Sequence, residues 1–115
     1  MAHYAFADIT ESYDIDVSLL QDQFDEFQAL KNVKRILTFG GWSLSIDYDT
    51  APIFREGVTA EDRQLFANNV VAFIEDNSLD GVDFDWEYPS VPDIPGIPPG
   101  SPNDGKNYLA FLKLV

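Results

Sequence analysis

Cysteine is absent from this 115-residue chain, which removes disulfide frameworks, thiolate metal sites and thiol nucleophiles together. Positive charge is scarce: seven Lys and Arg stand against twenty Asp and Glu, a net charge of −13 at neutral pH. Such a chain repels phosphate backbones and anionic lipid, which argues for no nucleic acid and no membrane among its partners. A neutral or cationic partner stays open. No apolar run approaches membrane-spanning length, and the N-terminal residues show neither the basic start nor the long apolar stretch of a secretory leader.

Apolar and aromatic residues are not scarce. They make up 45% and 14% of the chain, which excludes disorder and allows one domain with a real core. Residues 3–9, "HYAFADI", read as a short aromatic strand. In "DVSLLQDQFDEFQALKN", Val17, Leu20, Phe24, Phe27 and Leu30 recur at spacings of three and four, predicting an amphipathic helix with Ser18 and Gln21 in capping-box spacing. Residues 33–41, "VKRILTFGG", return to strand character and end on paired glycines. After a loop around Pro52 and Gly57, a second helix carries Phe66, Val70, Phe73 and Ile74 on one stripe, with Thr59 placed to cap it. A third strand, 79–88, is followed by a stretch holding all but one of the seven prolines, and "GKNYLAFLKLV" closes the chain as a helix. Strand–helix alternation predicts an α/β fold with a parallel sheet and right-handed crossovers. Three strands cannot close a barrel, which needs eight and about 250 residues, so the chain reads as an incomplete segment.

The third strand is the unusual one. "LDGVDFDWEYP" crowds Asp80, Asp83, Asp85 and Glu87 among Val82, Phe84 and Trp86. In an extended chain Asp83, Asp85 and Glu87 share one face, and the apolar residues take the other. A solvated strand face is the plain reading, although Asp is disfavoured in strands and like charges there repel. A calcium loop is a second reading. "DNSLDGVDFDWE" has acid first, glycine sixth and glutamate twelfth, but Ser78 and Asp83 sit at the wrong positions and the prolines beyond forbid an exiting helix. A two-metal phosphoryl-transfer site is conceivable on such a motif, yet the acidity of the chain disfavours its substrate. The third reading is acid–base chemistry: crowded carboxylates resist ionising together, and Glu87, last on the strand, is the natural proton donor.

The run Asp80-Gly81-Val82-Asp83-Phe84-Asp85-Trp86-Glu87 resembles D-x-x-D-x-D-x-E, the signature of the family 18 glycoside hydrolases, the chitinases. "TFGGWS", 38–43, resembles the family's S-x-G-G motif on the preceding strand, with Thr38 in place of serine. The continuation "DWEYP…DIPGIPPGS…DGKNYLAFL" is similar to fungal chitinases related to killer-toxin subunits.

The resemblance implies that residues 1–115 are the second to fourth strand–helix units of a (β/α)8 barrel, three parallel strands with crossover helices. It implies hydrolysis of β-1,4-linked N-acetylglucosamine polymers, endo-type by family, in which the substrate's own acetamido oxygen attacks the anomeric carbon. Glu87 would be the proton donor. Asp85 would hold the acetamido N–H, and Asp83 would hydrogen-bond Asp85. Gly40, Gly41, Trp42, Ser43 and Tyr88 would meet the sugar, with Thr38 and Asp80 supporting, no metal and no cofactor. Chitin or a chito-oligosaccharide is the implied partner and the cell exterior the implied location. The family's first strand, its downstream tyrosine and the tryptophan flooring its cleft have no counterpart within residues 1–115, so the isolated chain is expected to lack turnover and to self-associate through unpaired sheet edges. The competing class is a carbohydrate-binding remnant that keeps the motif without activity.

Overall fold

The computed structural model describes residues 1–90, 95–97 and 99–115. Residues 91–94 and 98 of the proline-rich stretch lie outside the described residues.

Three strands form a parallel sheet. They are β1 (Ala2–Ile9), β3 (Arg35–Gly40) and β4 (Gly81–Asp85), with β3 in the centre; β2 (Ile15–Asp16) adds a short antiparallel pairing at the end of β1. The register aligns Ala5 with Thr38 and Thr38 with Asp83, as the expected strand order requires, and it skips Phe6 in β1. The Ala5–Phe6 and Glu87–Tyr88 peptides are cis. Two residues are too few to leave an alternation, which is why β2 has no sequence signal.

Alternation sorts the sheet into two faces. Tyr4, Ala7 and Ile9 of β1 and Leu37 and Phe39 of β3 are buried on the side that the helices cover. Phe24 and Phe27 of α1 (Gln21–Gln28) pack on Tyr4, with ring centroids 5.5 and 5.6 Å away. Phe66 of α4 (Arg63–Asp76) stacks on Phe111 of α5 (Asp104–Leu112) at 4.6 Å, and Phe84 of β4 meets both edge-on. The opposite face carries exposed His3, Ala5, Phe6 and Asp83.

Some local expectations are corrected. The first helix is shorter than its apolar stripe. A 3₁₀ turn at Ser18–Leu20 precedes it, and Leu20 and Leu30 are exposed beyond its ends. Ser18 does not cap with its side chain; its amide instead donates to Asp16 Oδ1 at 2.8 Å. Thr59 Oγ1 donates back to the Glu56 carbonyl at 2.6 Å, finishing the preceding helix instead of opening α4. The loop around Pro52 and Gly57 is two helices, α2 (Gly41–Ile46) and α3 (Ala51–Gly57). Pro52 sits in the first turn of α3, where its missing N–H has no partner to lose. Gly57 ends that helix against the rings of Tyr13 and Phe66, about 3 Å from where a Cβ would stand.

Candidate active site at the carboxyl ends of the strands

β3 and β4 end side by side, with Gly40 opposite Asp85. Gly40 has φ of +102°, and a Cβ there would collide with the Asp85 carbonyl and the Phe54 ring. Only glycine lets the two strand ends close to this distance. Gly41, at φ +84°, lies under the Phe6 ring, with 2.9 Å between the position of a Cβ and Cζ.

The acidic motif follows from that junction. Phe84 and Trp86 face the helices, Trp86 stacking on Phe54 at 5.6 Å with 14° between the planes. Asp83 and Asp85 therefore take the other face. Asp83 is half-exposed and receives a hydrogen bond from Thr38 Oγ1 at 3.3 Å, so the hydroxyl at the position of the usual serine spans the two strands. β4 stops at Asp85, and half-buried Glu87 stands in the bend that follows instead of on the strand itself. Its amide donates to Ser45 Oγ of α2 at 3.0 Å.

Charge at this end is felt by two tyrosines. The Glu87 carboxylate beside Tyr88 holds that phenol above its ordinary value, with Asp85 adding to the effect. Tyr108 of α5 is pushed up to about 12, by burial first and then by Asp83 and Asp85. Trp42 and Tyr88 are each about half exposed, 50% and 49%, and Ser43 is exposed beside Trp42. These side chains are open to a ligand approaching the strand ends.

Asp80 belongs elsewhere. At the opposite end of β4 it accepts from the Arg35 amide at 2.8 Å and lies 3.6 Å from Arg35 Nε. The calcium reading also fails on placement. Asp76 ends α4, and Gly81–Asp85 is hydrogen-bonded into the sheet instead of wrapping a cation. Among the described residues no three His, Asp or Glu side chains are grouped to hold a metal ion.

His3 is a residue that the sequence reading missed. Its Nδ1 lies 3.2 Å from Thr38 Oγ1 and 3.7 Å from Asp83 Oδ2. A hydroxyl that donates to Asp83 can accept from His3 Nδ1–H, which makes a three-strand polar chain across the open face. The signal was available: it is the chain's one histidine, on the parallel neighbour of the strand bearing Thr38.

The sequence pattern of Glycosyl hydrolases family 18 matches residues 1–115. A secreted chitinase of Penicillium expansum is 46% identical over 115 residues, covering 98% of this chain and 8% of that protein. The killer toxin subunits alpha/beta of Kluyveromyces lactis are 45% identical over 114 residues, covering 98% of this chain and 10% of theirs. The chain thus spans a tenth or less of the length of these relatives. Among solved structures, the chitinase domain of a Clostridium difficile spore coat protein superposes with a TM-score of 0.76 at 29% identity, over 97% of this chain and 31% of that one. The second catalytic domain of an Ostrinia furnacalis Group II chitinase gives 0.77 at 28% identity, over 96% and 30%. With its 115 residues matched throughout, and with such identities, the chain belongs to family 18 of the glycosyl hydrolases.

Proposed function

We propose that residues 1–115 supply the second to fourth strand–helix units of a (β/α)8 chitinase barrel, and that Glu87 is the proton donor that cleaves β-1,4-linked N-acetylglucosamine polymers outside the cell. The observation that carries this reading is the stagger of acids at the strand ends. Asp83 is tied to Thr38 on the open face, Asp85 follows on the same face, and Glu87 comes just beyond the strand. Glu87 protonates the glycosidic oxygen while the substrate's acetamido oxygen attacks the anomeric carbon, giving an oxazolinium ion and, after water adds with Glu87 as base, retained configuration. Asp85 accepts the acetamido N–H and stabilises the developing positive charge. Asp83 orients Asp85, and the Thr38 hydroxyl fixes Asp83 in turn. Trp42 and Tyr88 offer apolar faces to the sugar rings.

The test compares the intact protein with its Glu87→Gln variant on a chromogenic N-acetylglucosamine oligomer. Loss of the general acid should lower kcat by about 10²- to 10⁴-fold. Equal turnover by both proteins overturns the assignment. Retention on chitin with no turnover by either supports the carbohydrate-binding remnant instead.

A further inference from the structure

Two further side chains are polar and nearly inaccessible, and neither takes part in the chemistry proposed above. They are Ser45, 7% exposed, and Asp104, 1% exposed. Both terminate on the backbone around Glu87. Ser45 Oγ accepts from the Glu87 amide at 3.0 Å. Asp104 Oδ2 accepts from the Ser90 amide at 2.9 Å, from the Ser101 amide at 3.0 Å and from Arg55 Nε at 3.0 Å.

A carboxylate removed from water needs this many donors, because an uncompensated buried charge is strongly destabilising. What matters is where the donors come from. Only the bond to Ser101 is local, three residues away in sequence. The other two donors lie on α3 and on the turn after Glu87, 49 and 14 residues away in sequence. Arg55, held by Asp104, also places its guanidinium carbon 5.9 Å from the centre of the Trp86 ring. Ser90, whose amide Asp104 receives, has φ of +66°, a conformation that a residue with a side chain keeps only where its surroundings fix it. The segment from Trp86 to Ser90 is therefore anchored at Trp86 by Arg55, at Glu87 by Ser45 and at Ser90 by Asp104.

We infer that Ser45 and Asp104 are positioning residues for the proton donor, clamping the main chain on both sides of Glu87 so that its carboxyl stays registered on the open face. This rests on the reading of Glu87 as the acid. Neither residue touches substrate; each acts through the backbone.

The experiment uses the intact protein and the variants Ser45→Ala, Asp104→Asn and Glu87→Gln. Two N-acetylglucosamine oligomers serve as substrates, one with a sugar leaving group and one with a dinitrophenolate that departs with little help from a proton. A displaced acid should lower kcat for the sugar leaving group about ten- to a hundredfold with KM within about twofold, and for the dinitrophenolate by less than about threefold. Amide hydrogen exchange supplies a readout independent of turnover: Ser45→Ala should speed exchange at Glu87 by about tenfold while Leu37 in the sheet centre stays protected. Equal losses on both leaving groups, or an unaltered Glu87 amide, overturn the inference. Should Asp104→Asn fail to fold, Ser45→Ala decides alone, since it deletes one hydroxyl and no charge. Full turnover by Glu87→Gln sinks the acid assignment itself. An inactive Glu87→Gln beside an unimpaired Ser45→Ala sinks only the clamp.

Discussion

Two glycines of this chain have opposite reasons to be glycine. Gly40 closes the strand ends at φ +102° with the Asp85 carbonyl in the way of any Cβ, whereas Gly105 lies in α5 with nothing within 4 Å of where one would be. Gly40→Ala should destabilise the chain by about 2 kcal/mol or more, and Gly105→Ala should stabilise it by about 0.5–1 kcal/mol. Urea midpoints of the two variants check both signs. Asp8 is a second such site. Its carboxyl is pushed up by burial and then by Asp16, its partner across the β1–β2 pairing. Asp16 goes the other way, because the Ser18 hydroxyl and amide hold its charge. A folded-state value above the unfolded one means that Asp8's contribution is fully present below the unfolded carboxylate range and is lost as pH rises through the folded value. Asp8→Asn should therefore raise Tm at pH 7 and leave it unchanged below about pH 3. The same shift at both pH values would place the effect in packing instead.

At the scale of elements, the two ends of β4 do different work. Arg35 gathers the far end. Its Nη1 donates to the Gln28 carbonyl at the end of α1 and its Nη2 to the Ser78 carbonyl beyond α4, both at 2.7 Å, while Asp80 receives its amide. Asp80→Ala should cost about 1–2 kcal/mol of stability and leave kcat of the folded protein unchanged, although Asp80 opens the acidic motif. A large loss of kcat at constant stability would return Asp80 to the site. This division was only half legible in the sequence. The parallel strands and the α4 stripe could be read from period, because those patterns are local. α2 and α3 were not, since Pro52 and Gly57 are breakers in isolation and act as the first turn and the last residue of one helix here. Ser45 and Asp104 escaped for a different reason: their partners lie 42 and 49 residues away, and spacing along the chain carries no trace of such contacts.

At the scale of the molecule, β4 has no neighbour on its outer side among the described strands, and β2 covers β1 only at Asp8 and Ile9. Residues 1–115 produced alone should self-associate with rising concentration, and sedimentation velocity reads that directly. They should also show no turnover of the chromogenic oligomer. The acetamide donor expected from elsewhere in the barrel is worth about a hundredfold in rate, and lost positioning is worth more. Turnover abolished by Glu87→Gln would mean that associated copies complete each other's site. The central place of β3 has a consequence for how the molecule forms. Thr38 is paired with Ala5 on one side and Asp83 on the other, contacts that span 33 and 45 residues of chain, so neither junction closes cheaply from an open coil. Because both pairings run through β3, the three parallel strands cannot come together as one sheet until β3 is in place between β1 and β4.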